Sequence, residues 1–409
     1  MDTMSQLGDW CVTRHRIRTF LGFASIALAN AVLTRIAHAA NYLIIPYPQP
    51  VVILLELLPA AVTKLFLPFV YGYVPKNARF ILITGAWILV KTVVSATPPN
   101  VLPPVRVLMT LLAACSSAAT ELCCLDLIRD YGRLGLIAWA AGTSLGQMAN
   151  ATWPLVLTSF MGKTVREGTG YMYQLVAITL LAYYVFLPRN CLPTGAETDL
   201  SNRDAESNYK NMSLLEAAST TPDKVARKSG RQPRQISVVT RQYLPALLIT
   251  SAAQAMVYPG ISLALDGSSF SSLLSWTFSL AFALSFGSFV ARLSAMSLRL
   301  GNHRVVLVLL AWTVVLLLAD SIFFLGSSYV VICVALCSGL LGGAIYVEVF
   351  DGVLQAVSDH PDFLIAIGMI SAGGTLGSLL GGWVGFVWET TVCNMTVDRG
   401  RFCHRAIWN

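Results

Sequence analysis

Apolar segments of about 20 residues recur along almost the whole chain, separated by short polar turns. A helix rises about 1.5 Å per residue, so about 20 residues cross the ~30 Å hydrocarbon core of a bilayer. The pattern predicts eleven helices, near 17–41, 51–74, 78–97, 103–128, 132–160, 170–188, 241–265, 270–298, 303–325, 329–357 and 362–390. A transmembrane barrel would instead show alternating segments of roughly ten residues. One interval interrupts the pattern. Residues 189–240 are rich in Ser, Thr, Asp, Arg and Lys and cannot bury a core, so they read as a disordered linker. The linker is acidic at its start (Glu197, Asp199, Asp204, Glu206) and basic at its end (Lys224, Arg227, Lys228, Arg231, Arg234). The expected organisation is an N-terminal segment 1–16, a six-helix bundle 17–188, the linker, a five-helix bundle 241–390 and a tail 391–409. Two bundles joined by a linker are the layout of many secondary transporters, whose site lies between the halves near the membrane midplane.

Composition agrees with an all-α polytopic membrane protein. The 409 residues are 55% hydrophobic and 12% charged, about half the charge of a soluble domain. The net charge of +7 would suit nucleic acid, but its distribution excludes that reading. Arg14, Arg16, Arg18, Lys76, Arg79, Arg129, Arg133, Arg299 and Arg304 all fall in segments on one side of an eleven-helix topology. The positive-inside rule therefore places the N-terminus and linker in the cytosol and the tail across the membrane. Lys163, Arg166, Arg399, Arg401 and Arg405 oppose the trend without outweighing it. The apolar stretch after Arg18 is long and lacks a small-residue cleavage site, so it reads as the first span rather than a signal peptide.

Ionisable residues inside membrane helices are costly and usually face the bundle interior. The candidates for a substrate or ion pathway are Arg35, Glu56, Lys64, Glu121, Glu348 and Asp351, with Asp126 and Asp320 beside them. Glu348 and Asp351 are three apart and share a helix face. Two carboxylates there could share a proton and serve a relay or cation site, or each could bond a basic residue on a neighbouring helix. Glu56 and Lys64 are two turns apart on one face, each expected to pair with another helix. Arg35 reads either as a two-pronged anchor for phosphate or carboxylate or as a counter-charge for Glu56 or Glu121. Lys91 and Arg106 stand near helix ends, where they are expected to snorkel, and Asp320 is expected near the outer interface. Gly373, Gly377, Gly381 and Gly385 form a four-residue stripe that lets another backbone approach, and Gly142 and Gly146 repeat the spacing beside Thr143, Ser144 and Gln147, which could line a cavity.

The nine cysteines include no CxxC pair, and Cys115, Cys123, Cys124, Cys333 and Cys337 read as small hydrophobes in apolar segments. Cys393 and Cys403 could pair in an oxidising lumen. No HExxH or P-loop occurs, so neither an enzyme nor a metal or cofactor site is expected. Of the sequons at Asn150, Asn211 and Asn394, the first lies within a helix and the second in the linker, which leaves Asn394 as the glycosylation candidate.

Several blocks together resemble the battenin family, the Batten-disease proteins of lysosomes and fungal vacuoles. Leu340 to Val347 resembles that family's glycine-rich signature, continued by Ser358 to Phe363 and by Thr375, Leu376 and Gly377. Leu54 to Phe69 is similar to its second helix, with Glu56 and Lys64 at the acidic and lysine positions. Ser116 to Glu121, Tyr131 to Gly146, Arg292 and Leu316 to Asp320 extend the likeness. The resemblance implies a divergent member of the fungal vacuolar type, with a fold related to the major facilitator superfamily. It implies roles in vacuolar pH balance, basic amino-acid transport and glycerophosphodiester export. Gln254, Ser338 and Gly374 stand at acidic positions of the family pattern, whereas Glu348 and Asp351 stand where that pattern is neutral or weakly polar. The leading expectation is a vacuolar transporter of a small polar metabolite, with or without proton coupling, in contact with the lipid bilayer. The alternative is a non-transporting regulator of pH or trafficking that recruits cytosolic partners through 189–240.

Overall fold

The computed structural model describes residues 2–42, 49–96, 103–162, 167–188, 232–265, 269–270, 272–297, 303–358, 360 and 362–398. The chain is an all-α polytopic membrane protein. Its helices are α1 (Asp2–Tyr42), α2 (Gln49–Tyr71), α3 (Lys76–Ala96), α4 (Pro103–Leu155), α5 (Met172–Leu181), α6 (Gln232–Ala255), α7 (Leu273–Ser294), α8 (His303–Phe323), α9 (Ser328–Val357) and α10 (Phe363–Asp398). Short π-helical turns continue α4, α5 and α6 at Val156–Phe160, Ala182–Phe186 and Met256–Gly260.

Among the described residues, nine helices are long and apolar enough to cross a membrane. One of them, Pro104–Leu155, has 52 residues, about 78 Å of helix and more than twice the hydrocarbon thickness. It turns back on itself at Gly132, whose φ of 67° and ψ of −157° are open to glycine and strained for other residues. The side-chain contacts show the reversal. Phe23 of α1 lies against Tyr131 and below Gly135, whereas seven residues further on Asn30 bonds Ser117 and Asn150 bonds the Ala31 carbonyl. The two arms of α4, 103–131 and 133–155, thus leave Gly132 in the same direction and flank α1. The sequence reading placed two helices here. The segment near 241–265 is present as α6 and its π turn, but it is not one of the nine, because Arg241, Gln242, Ser251 and Gln254 dilute its apolar content.

Three boundaries differ from the reading. α1 begins at Asp2 rather than near 17, α6 at Gln232 rather than near 241, and α10 runs to Asp398 rather than to about 390. Polar residues there continue helices whose apolar stretches begin or end earlier, which hydropathy does not register. The rest of the expected linker, 189–231, lies outside the described residues.

Large apolar side chains such as Phe66, Val308 and Trp312 are more than half exposed, as befits a surface facing lipid. Contacts between helices use small residues instead. A Cβ on Gly377, Gly381 or Gly385 would come closer than 3.0 Å to the backbone of Leu248, Ala252 or Gly260, and Gly373 abuts the Leu244 side chain. Gly142 and Gly146 receive Ala24, Ala27 and Ala31 of α1 in the same way. On α7 and α9, Gly287, Gly339 and Gly343 bring those two helices equally close. The sequence-adjacent halves meet mainly where α2 packs on α10 and α4 packs on α7.

Two of the helix charges are buried within the bundle. Arg106 is 1% exposed, so it does not snorkel to the interface. Asp320 is buried and accepts a hydrogen bond from the Gly326 amide at 2.8 Å, pinning the turn between α8 and α9. Cys393 is disulfide-bonded, and Cys403 lies outside the described residues.

Candidate functional site

A cavity of about 510 Å³ lies where α1, α2, both arms of α4, α6, α7, α9 and α10 converge. Its volume is in the range that takes small molecules. α2 presents Glu56 and Lys64 to it from one face, as their spacing requires. Glu56 Oε1 is 3.1 Å from His38 Nδ1 and 4.0 Å from Arg35 Nη1, both on α1. Lys64 Nζ is 2.7 Å from Glu121 Oε2 and donates to Thr375 Oγ1 at 2.8 Å. Ser371 Oγ donates to the other Glu121 oxygen in a short hydrogen bond. Lys64, Glu121, Ser371 and Thr375 therefore join α2, α4 and α10 in one polar network. A buried ion pair is tolerable only when hydrogen bonds satisfy its remaining atoms, and these two hydroxyls supply them.

Arg292 occupies the α7 wall. Its Nη1 donates to the Ala140 carbonyl at 2.8 Å and to Thr143 Oγ1 at 2.5 Å, and its guanidinium stacks 4.3 Å from the Tyr346 ring centroid. No described carboxylate forms an ion pair with it, and its Nε lacks a hydrogen-bond partner. The remaining wall is polar and neutral. Gln254 Nε2 donates to Ser288 Oγ at 3.3 Å, and Gln147, Asn150, Ser251, Ser285 and Ser378 also line the space. Three cationic side chains (Arg35, Lys64, Arg292) thus face two carboxylates (Glu56, Glu121), an excess of one positive charge before His38 is counted. A guanidinium held by carbonyl, hydroxyl and ring rather than by a carboxylate, in a cavity of that sign, is suited to an anionic group of a ligand.

The structure brings Arg35, Glu56, Lys64 and Glu121 together at the cavity and leaves Glu348 and Asp351 outside it. Tyr346 and Phe350 are the α9 residues that line the cavity. At 100° per residue, Glu348 and Asp351 point away from that stripe. Asp351 instead lies 3.5 Å from Arg133 and accepts from Gln355 at 3.0 Å. Asp126 forms a 2.7 Å ion pair with Arg79, whose guanidinium also donates to the Tyr71 and Val74 carbonyls. Thr143 and Gln147 line the cavity, whereas Ser144 is fully buried away from it. Gln254 and Gly374 also line it, and Ser338 is buried elsewhere with an unbonded hydroxyl. Gly142, Gly146, Gly373, Gly377, Gly381 and Gly385 all sit at helix crossings, and Asn394 is exposed on the last turns of α10. No cluster of three or more potential metal ligands occurs among the described residues.

The cavity residues that charge alone did not single out were nevertheless written in the sequence. Ser371, Thr375, Ser378 and Gly382 form one helical stripe, as do Ala281, Ser285, Ser288 and Arg292. A row of small and polar residues along an otherwise apolar helix marks its inward face.

Comparison with known proteins extends this picture to the whole chain. Protein btn-1 of Neurospora crassa is 27% identical over 97% of this chain and 95% of its own length. Protein BTN1 of Chaetomium globosum is 27% identical over 88% of this chain and 84% of its own. Protein BTN1 of Yarrowia lipolytica is 26% identical over 93% and 96%. The CLN3 protein family matches residues 21–395, so the chain belongs to that family, the battenin family that its motifs resemble.

Proposed function

We propose that the protein is a transporter of the vacuolar membrane that moves a small polar, anionic metabolite through the central cavity by alternating access between its two halves. The observation that carries this reading is Arg292, a cation built into the membrane interior without a carboxylate partner and facing a cavity of about 510 Å³. A buried guanidinium is costly in a bilayer, and a ligand that neutralises it would offset the cost. Among the substrates that the family resemblance implies, a glycerophosphodiester suits this wall better than a basic amino acid. Its phosphate takes the guanidinium, and its hydroxyls take the amides and serines around Gln147, Asn150 and Ser285. A basic amino acid would bring a further cation to a space already positive. The vacuolar location, the cytosolic N-terminus and any coupling to protons come from the resemblance and the loop charges. Six helices before the linker and five after it form the two moving bodies in this account.

Metabolite profiling of isolated vacuoles with and without the protein tests the reading. Accumulation of glycerophosphodiesters in vacuoles lacking it is the expected result. An unchanged profile with a shifted lumenal pH would overturn transport in favour of regulation through 189–240.

A further inference from the structure

The carboxylates that fall outside the cavity lie at one end of the bundle, beside the reversal at Gly132. Arg133 is the first residue after that reversal. Its Nη2 donates to the Ala295 carbonyl, just past α7, at 2.7 Å, and its Nε stands 3.5 Å from Asp351 Oδ2 on α9. One side chain of the first half therefore holds two elements of the second. These contacts lie just beyond the deepest cavity residues on the same helices, Arg292 on α7 and Phe350 on α9. Towards the other end the lining continues, through Arg35, Ile53, Tyr258 and Gly382. The contact of Arg133 thus spans the two halves beyond the cavity lining, on the side of Gly132.

From this geometry we infer that the bond of Arg133 to Asp351 and to the Ala295 carbonyl is a gate, and that the structure is the state closed at the Gly132 end. The inference rests on reading the cavity as a transport path. Alternating access demands a contact between the halves that exists in one state and separates in the other. Arg133 suits that duty. Its side chain is 26% exposed, against 9% for Asp351, so water can take over the charge when the pair parts. Its Nε makes no hydrogen bond, which leaves the ion pair at Coulombic range, while Gln355 gives the Asp351 carboxylate a partner that remains after separation. The 3.5 Å separation and the partly exposed Arg133 side chain let this pair part and re-form more readily than a short, fully hydrogen-bonded one. By contrast the pair of Lys64 and Glu121 is short and carries two further hydrogen bonds. Arg129, stacked 5.9 Å from the Phe363 ring of α10, lies at the same end.

The test is cysteine accessibility in sealed vesicles. Ser285→Cys places a thiol in the cavity, and a membrane-impermeant maleimide is applied from each face, with labelling at position 285 read by peptide mass spectrometry. With the gate intact, labelling should come from the face opposite Gly132. Arg133→Gln should raise labelling from the Gly132 face about fivefold or more. Arg133→Lys, which keeps the charge and a donor, should raise it less than Arg133→Gln. Should Arg133→Gln not fold, Asp351→Asn serves as the milder opening variant. Unchanged labelling from the Gly132 face in the folded opening variant would overturn the gate, and so would equal labelling of Arg133→Lys and Arg133→Gln. The readout needs no substrate. A labelling change in a protein that moves no metabolite would keep the gate and remove the transport reading, whereas transport with unchanged labelling would remove the gate alone.

Discussion

At the scale of single residues, several of the described interior charges are held by an opposite charge or a backbone donor, whereas Arg292 is held by a carbonyl, a hydroxyl and a ring. Asp126 and Asp320 are locked to Arg79 and to a backbone amide. Lys64 and Glu121 answer each other and two hydroxyls. Lys64→Met should therefore leave Glu121 with a charge facing the cavity, lowering stability by on the order of 3 kcal/mol. The double change Lys64→Met with Glu121→Gln should recover much of that, as thermal unfolding in detergent would show, because two neutral groups need no partner. Arg292 is different in kind. Arg292→Lys should bind substrate at least about tenfold more weakly, although charge is kept, because an ammonium cannot span Ala140, Thr143 and a ligand in one plane or stack on Tyr346. Titration calorimetry with a glycerophosphodiester would check this. Sequence alone favoured Glu348 and Asp351 over Arg292. Spacing told which residues share a face, but the direction of that face depends on how α9 is rotated against its neighbours. Arg292 lies in the last turns of an apolar helix, where an arginine reads as an interface residue.

At the scale of elements, the apolar runs were enough to locate every helix described, including the pair merged in α4. The termini of α6 and α10 were not legible, since polar turns carry no hydropathy signal when a helix projects beyond the apolar layer. Gly132 bears the reversal of α4. Gly132→Ala should be strained by about 1–2 kcal/mol at a φ of 67°, seen as a lower unfolding temperature. The glycine stripe on α10 was legible from its spacing, but its partner was not. The structure assigns it to α6, so Gly381→Leu should push the two helices apart and cost more than about 3 kcal/mol, with loss of the folded protein on size-exclusion chromatography. Gly382→Ala, beside it, meets only the Ile53 side chain at 3.4 Å and should be nearly silent.

At the scale of the molecule, the cavity draws on both halves of the chain. The carboxylates and lysine come from helices before residue 188, and Arg292 with the serine-lined wall comes from helices after 232. Such a site is invisible in either half alone, which is why the sequence identified the charged residues but not their assembly. It also means that a relative motion of the halves must remake the site, as transport requires. The most direct test is uptake of a labelled glycerophosphodiester into proteoliposomes containing the purified protein or its Arg292→Gln variant. Saturable uptake by the parent and a loss of at least about tenfold in the folded variant are the expected results. Equal uptake by both, or none above protein-free liposomes for either, would contradict it.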